Sequence, residues 1–396
     1  MGDKIMPVDV LDKKLCSGCG ACFNICPKKC IQMQPDMCGF LYPVIDKTRC
    51  IGCGLCDKVC PIVNSSRWVE LNPVSVNAAW SKDDDVRYSS TSGGIFSELA
   101  NQVIMEGGSV AGAAYGEDGG VEHQVVQDVK GIERLRQSKY LQSDMKDIYR
   151  QIRTLLDKQT VLFCGTPCQV VALKQFLGED TLNLLTIDFI CRGVNSPKAY
   201  RSWIGELEQN YSAKVRRVWF KYKENGWKES PRCTRIDFDN GVKIVQNGKE
   251  NVFMCGYLGP NLYIRPSCST CKFKGNKRGS DITVGDFWGI KESMDDNKGT
   301  SFVQVNTGKG LQLINSIRKR IYIYECSSDD VRAGNRCMHE SVVIHPKSEE
   351  FFCKLSGGSI PFSKLVYKYS KKSLTQRIRA VVGRAVRKIK KRIKYK

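Results

Sequence analysis

The feature that most constrains this chain is a cysteine run that occurs twice. Cys16-Ser-Gly-Cys19-Gly-Ala-Cys22-Phe-Asn-Ile-Cys26-Pro27 is followed by Cys50-Ile-Gly-Cys53-Gly-Leu-Cys56-Asp-Lys-Val-Cys60-Pro61, the same Cys-x2-Cys-x2-Cys-x3-Cys-Pro pattern each time. Three thiolates from one loop converge on a compact inorganic core only when their separations are this short. Glycines at 18, 20, 52 and 54 leave the backbone free to curl around that core. A pair of zinc knuckles is the competing reading, but it uses Cys-x2-Cys pairs with longer spacers rather than two full four-cysteine runs. Residues 1–64 hold ten of the 20 cysteines, and the pattern predicts two 4Fe–4S clusters there.

This segment resembles the bacterial dicluster ferredoxins, which implies an α+β ferredoxin-like domain that carries electrons. In such proteins the cysteine beside proline ligates the partner cluster. One ligand set is then Cys16, Cys19, Cys22 and Cys60, and the other Cys50, Cys53, Cys56 and Cys26. With 3 histidines in 396 residues, metal chemistry here is thiolate chemistry. A composition of 41% hydrophobic and 26% charged residues excludes a disordered or fibrous chain and suits two or three domains. No run approaches the roughly 20 apolar residues of a membrane span, and Met1 to Val10 has no apolar core of a secretory signal. A cytoplasmic location is expected, where thiols stay reduced.

After a linker at 63–73, residues 74–160 open with an apolar run at Val74, Val76, Ala78 and Ala79. Ser92 is expected to cap a helix carrying Ile95, Leu99 and Val103, which Gly107-Gly108 stops before a strand at 110–115. Residues 160–325 begin with a strand at Val161–Cys164, then Thr166 as helix cap and Pro167 at the first helical position. A second buried strand is expected over Leu182–Ile190, ending at Cys191. Strands alternating with helices imply an α/β sheet, whose ligands bind beyond the strands' carboxyl ends. Residues 326–370 are a less readable extension.

Cys268-Ser-Thr-Cys271 is a lone Cys-x2-Cys pair, which by itself fits half a zinc site or two unrelated thiols. Cys168, in the first turn of a helix whose dipole favours a thiolate, and Cys191, past the next strand, are its natural partners in a third 4Fe–4S cluster. Cys164 competes with Cys168 for that role. The remaining cysteines read as small buried hydrophobes.

Ser90-Thr-Ser-Gly-Gly-Ile-Phe96, Gly112-Ala-Ala-Tyr115, Ser138-Lys-Tyr-Leu-Gln-Ser143, Gly165-Thr-Pro-Cys-Gln169, Asp188-Phe-Ile-Cys-Arg-Gly193, Pro266-Ser-Cys-Ser-Thr-Cys271 and Ser280-Asp-Ile-Thr-Val-Gly-Asp-Phe-Trp-Gly289 stand in this order over residues 74–325. They resemble the signatures of the coenzyme F420 hydrogenase/dehydrogenase beta-subunit family. The resemblance implies an α/β flavin-binding domain, FAD, at least one 4Fe–4S cluster, and electron exchange between clusters and flavin. Carried over by position, Ser92, Gly93 and Gly94 would meet the FAD phosphates at a helix N-terminus. Lys139 and Tyr140 would lie by the isoalloxazine ring as the catalytic pair, with Asp286 as a further flavin contact. Family members commonly have His where Arg192 stands. The implied activity is an iron–sulfur flavoprotein oxidoreductase acting with a redox partner protein or a small-molecule hydride acceptor such as coenzyme F420. Relatives of this layout also resemble proteins of bacterial polysaccharide biosynthesis. The alternative is a non-catalytic electron-transfer subunit that docks a partner enzyme.

The net charge of +21 is concentrated at one end. Residues 371–396 carry twelve Lys or Arg and no acid, leaving +9 for the rest. Leu374, Ile378, Val382, Ala385, Ile389 and Ile393 would form the apolar stripe of a basic amphipathic helix. Such a helix suits an anionic inner membrane leaflet, giving a peripheral location. A solvated or partner-docking tail is the competing reading. Nucleic acid is disfavoured, because stacking aromatics are absent apart from Tyr395.

Overall fold

The structure is a computed structural model that describes Val8 and residues 11–67, 70, 72–178, 181–276 and 278–371. The expected basic helix over 372–396 lies outside the described residues. Each cysteine loop turns through two left-handed glycines, Gly18 and Gly20 in the first and Gly52 and Gly54 in the second. A short helix follows each loop, Ala21–Ile25 and Leu55–Lys58. Between them lies an antiparallel hairpin of β1 (Ile31–Pro35) and β2 (Leu41–Ile45).

The body contains β3 (Ser75–Ser81), β4 (Ser109–Tyr115), β5 (Val121–Val126), β6 (Ser143–Asp144), β7 (Val161–Cys164), β8 (Leu184–Phe189), β9 (Val215–Phe220), β10 (Thr234–Phe238), β11 (Lys243–Gln246), β12 (Ile282–Asp286), β13 (Ser301–Val305) and β14 (Ile321–Glu325). Nine strands form one sheet in the order β14-β3-β13-β12-β8-β7-β4-β5-β6. Its centre, β4, β7, β8 and β12, is parallel. Leu162 packs on one face with Ile95, Leu99 and Val103, while Val161 and Phe163 pack on the other with Ile152 and Val170. Burial on both faces explains the unbroken apolar run of β7. The sheet takes strands from both 74–160 and 160–325, so these segments share a core.

Thr166 caps the helix Pro167–Leu177 in a full capping box with Gln169, as expected. At the helix Ile95–Met105 the cap is Gly94, at φ 88°, and not Ser92. The Ser92 hydroxyl instead donates to the Thr300 carbonyl beside β13, at 2.7 Å. Gly93 is needed there because a Cβ would lie 2.5 Å from the Ala79 carbonyl oxygen. The second expected strand starts at Leu184, and Leu182 is exposed before it.

The extension over 326–370 has a core role that its sequence pattern did not reveal. Helices Ser348–Ser356 and Phe362–Ser370 pack Phe351, Phe362 and Leu365 against Phe253 and Tyr263 beside the small sheet β11-β10-β9. Among the described residues no helix is long and apolar enough to cross a membrane.

Candidate redox centre

The last cysteine of the second run lies with the first three of the first run. Burial raises the Cys19 thiol to about 12, and the neighbouring thiols of Cys60 and Cys16 add to the effect. Cys22 is also raised by burial, with Cys19, Cys16 and Cys60 around it. These four line a cavity of about 80 Å³ with Gly18 and Gly20. On the other side, burial raises Cys56 to about 12, with Cys53 among its neighbours. Cys30 Sγ lies 3.3 Å from Cys26 Sγ and also faces Cys50. Thiols gathered in burial resist ionisation until a cation offsets the charge, which iron does on binding. The donor sets therefore suit metal clusters. Among the described residues no three His, Cys, Asp or Glu groups are arranged to hold a single ion.

The dicluster segment is bolted to the body through its first loop. Arg265, fully buried, donates from Nε to the Cys16 carbonyl at 2.8 Å, from Nη2 to the Leu41 carbonyl at 3.0 Å and from Nη1 to Gln142 Oε1 at 3.1 Å. Its guanidinium also lies over the Tyr42 ring at 4.2 Å. Tyr149 donates its hydroxyl proton to the Cys19 carbonyl at 2.9 Å. Arg150 reaches the carbonyls of Asn24 and Phe23.

The body's own thiols meet beyond this bolt. Cys168 opens the helix after β7, Cys191 follows β8, and Cys268 and Cys271 flank the turn Pro266–Thr270. Burial raises Cys168, which has Cys271, Cys191 and Cys19 as neighbouring thiols. Burial likewise raises Cys191 to about 12, with Cys268 and Cys271 beside it. Cys164 is raised by burial too, but its charged neighbours are Asp188 and Lys139 rather than these thiols. The buried pair Arg278–Asp188, at 3.2 Å, ties the segment after Cys271 to β8 and so sets Cys191 against the turn. Lys274 adds bonds to the carbonyls of Cys191 and Cys337, both at 2.7 Å.

All four of these thiols open onto a cavity of about 660 Å³, which Ser17, Gly18 and Ile62 of the dicluster segment also line. Pockets of a few hundred to about 1,000 Å³ are the usual size for organic cofactors. Ser92 and Gly94 line this cavity, whereas Gly93 faces the sheet and donates its N–H to Ser301 Oγ at 2.9 Å. The helix Ile95–Met105 has no side-chain cap, and its first residues, Ile95 and Phe96, face the cavity. That leaves backbone N–H groups for an anion.

Lys139 lines the cavity and is half-buried, with Nζ donating to the carbonyls of Leu135, Arg136 and Gln137. Burial lowers its ammonium to about 7. Tyr140 packs edge-on against Phe220 at 5.3 Å, and burial raises its phenol while Lys221 opposes the rise. Asp286, at the end of β12, pairs with Lys221 and accepts the Trp227 indole proton at 3.3 Å. Trp227 stacks on Trp288 at 4.3 Å. Arg192 donates to Asn261 Oδ1 at 2.6 Å, which fixes its guanidinium.

Sequence reasoning missed Lys221 and Arg265. Lys221 stands 65 residues from Asp286, in no motif, at a left-handed φ of 56°. Arg265 was visible, since it directly precedes the Pro266–Cys271 motif.

Two family models match the chain. Residues 15–64 match the 4Fe–4S dicluster domain, and residues 158–331 match the C terminus of the coenzyme F420 hydrogenase/dehydrogenase beta subunit. The chain joins that beta-subunit domain to a dicluster domain. Residues 15–64 are thus similar to an iron–sulfur electron-carrying domain, and residues 158–331 to the C-terminal part of that beta subunit. A solved structure of the F420-reducing NiFe hydrogenase complex from Methanosarcina barkeri aligns with 16% identity and a TM-score of 0.46, over 75% of this chain and 91% of that one. No curated protein matches the chain.

Proposed function

We propose that this protein is an iron–sulfur flavoprotein oxidoreductase, in which electrons move between the dicluster domain, a third 4Fe–4S cluster, FAD and an organic two-electron acceptor or donor. The carrying observation is the position of Cys168, which neighbours Cys19 of the dicluster segment as well as Cys191 and Cys271 of the body. Thiols thus follow one another from the ferredoxin repeat to the wall of the large cavity. Cys16, Cys19, Cys22 and Cys60 hold the first cluster, Cys50, Cys53, Cys56 and Cys26 the second, and Cys168, Cys191, Cys268 and Cys271 the third.

Bound FAD would supply the exchange between single electrons and a hydride. The uncapped N–H groups after Gly94 bind its diphosphate. Lys139, held by three carbonyls, presents a positive charge to the ring edge, and its lowered proton affinity rises when negative charge develops nearby. Tyr140 holds a transferable proton at its phenol oxygen, and the Lys221 ammonium, fixed by Asp286, stabilises the phenolate left behind. Coenzyme F420 and intermediates of polysaccharide assembly are the acceptors to screen.

Iron and flavin analysis of anaerobically purified protein tests this reading. About twelve Fe and one FAD per chain are expected from three four-iron clusters and one flavin. About eight Fe with no flavin after reconstitution would overturn it and leave a ferredoxin that docks a partner enzyme. Cys268→Ser should remove one cluster and spare the dicluster pair; retention of all three would refute the third ligand set. Peripheral attachment through residues 371–396 belongs to the same reading. Liposome binding that survives truncation after Ser370 would refute it.

A further inference from the structure

The three sets of thiols do not stand in the same electric field. Burial apart, the groups that push up Cys19 and Cys22 in the first set are thiols. Asp57 adds a negative charge beside Cys60. The second set reaches the surface at Cys53, which is exposed, so water and salt screen the charges there. The informative comparison is therefore between the enclosed first set and the third.

The third set has a cation of its own. Lys274, three residues after Cys271, lines the large cavity and donates Nζ to the carbonyls of Cys191 and Cys337, both at 2.7 Å. Its charge opposes the rise that burial gives the thiols of Cys191 and Cys268. Carbonyls hold the ammonium in place without cancelling it, and among the described residues no carboxylate pairs with Lys274. The buried acid of this region, Asp188, is taken by Arg278. Arg192, directly after Cys191, adds charge of the same sign and is held by Asn261 and the Leu258 carbonyl. Arg265 does not separate the two sets, because it donates to the Cys16 carbonyl while its charge also reaches Cys268.

A four-iron cluster gains one negative charge when it is reduced, and a fixed cation nearby makes that gain easier. We propose that Lys274 sets the reduction potential of the third cluster, making it easier to reduce than the first, so that electrons from the dicluster domain collect beside the cavity. The inference rests on the cluster assignment proposed above and adds the residue that biases it. One electron moves in each transfer, from the reduced first cluster to the oxidised third, and no bond or proton changes. The competing role for Lys274 is a strap that only holds its segment against Cys191 and Cys337. A strap would move stability and leave the potential alone.

The test uses full-length, cluster-loaded protein, titrated with dithionite and followed by electron paramagnetic resonance. The midpoint that disappears in Cys268→Ser belongs to the third cluster, and in the wild type it should lie above at least one of the other two. Lys274→Gln keeps donor protons for the carbonyls and removes the charge. It should lower the reduced-to-oxidised ratio of the third cluster at least about tenfold at a given potential, which is about 59 mV for a one-electron couple. The other two midpoints should stay in place, and Lys274→Arg, which restores the charge, should return the third to near its wild-type value. A third midpoint that is the lowest in the wild type, or that ignores Lys274→Gln, overturns the proposal. So does a Lys274→Arg midpoint as low as that of Lys274→Gln. If Lys274→Gln does not retain the third cluster, the wild-type ranking decides. Iron of about eight per wild-type chain would instead remove the third cluster, and with it the reading proposed above.

Discussion

Residues 16–26 and 50–60 share cysteine spacing, left-handed glycines and a following helix, yet one loop is enclosed and the other is open. Gly18 lies against Arg265 and Gln142, while Gly52 has empty space where a side chain would be. The difference comes from the body, since the repeat itself is nearly symmetric. A duplicated motif acquires two environments through what packs against each copy.

The largest effect should come from removing the bolt. Arg265→Ala leaves the Cys16 and Leu41 carbonyls and Gln142 without their charged donor, at a cost of at least about 3 kcal/mol. Limited proteolysis should then release the dicluster segment; unchanged protection would show that the enclosure does not depend on Arg265. Acid should act next, on the body's sheet. Burial lowers His123, which bonds Ser143 Oγ at 2.7 Å, to about 4 against an ordinary 6.5. The unfolded chain takes up this proton before the folded one does. Stability from the neutral histidine is therefore complete above about pH 6.5 and is lost as pH falls towards 4, to a total of about 3 kcal/mol. Urea midpoints of His123→Gln should vary less with pH over that window, and an equal slope would remove His123 from the account.

A matched pair of substitutions sharpens the contrast. Gly18→Ala combines a clash with left-handed strain, about 3 kcal/mol in all, whereas Gly52→Ala carries only the strain, about 1 kcal/mol. Equal losses in thermal midpoint would mean that the loops do not differ. The smallest expected change is that of Tyr149→Phe, which loses the hydroxyl proton shared between the Cys19 carbonyl at 2.9 Å and the Gln169 carbonyl at 3.3 Å, worth about 1 kcal/mol. It should slow electron passage from the dicluster domain to the body without altering iron content; an unchanged transfer rate would place the route elsewhere.

Much of this was legible in the sequence because it is local. Cysteine spacing, the Thr166-Pro167 helix start and the alternation of strands with helices each depend on residues a few positions apart. The sequence also pointed to Cys168 and Cys191 beyond the ends of β7 and β8, where the structure gathers them with Cys268 and Cys271. What stayed hidden depends on distance along the chain. Ser92 read as a cap because the Thr300 carbonyl that takes its hydroxyl is 208 residues away. Lys221 and Asp286 gave no sign of each other, and the helices after residue 347 lacked a pattern that names Phe253 and Tyr263 as their partners. Lys139 would pass for a surface lysine until its burial over the end of the helix Val129–Leu135 is seen.

Arg265, Gln142 and Tyr149 close over the first cysteine loop from the body side, and this bears on how the protein is made and maintained. A centre partly covered by the body is reached most easily while the chain is still open, so maturation is expected to have an order: the inner iron first, then docking of the domain. The outer centre, with Cys53 at the surface, stays within reach of repair throughout the life of the folded protein.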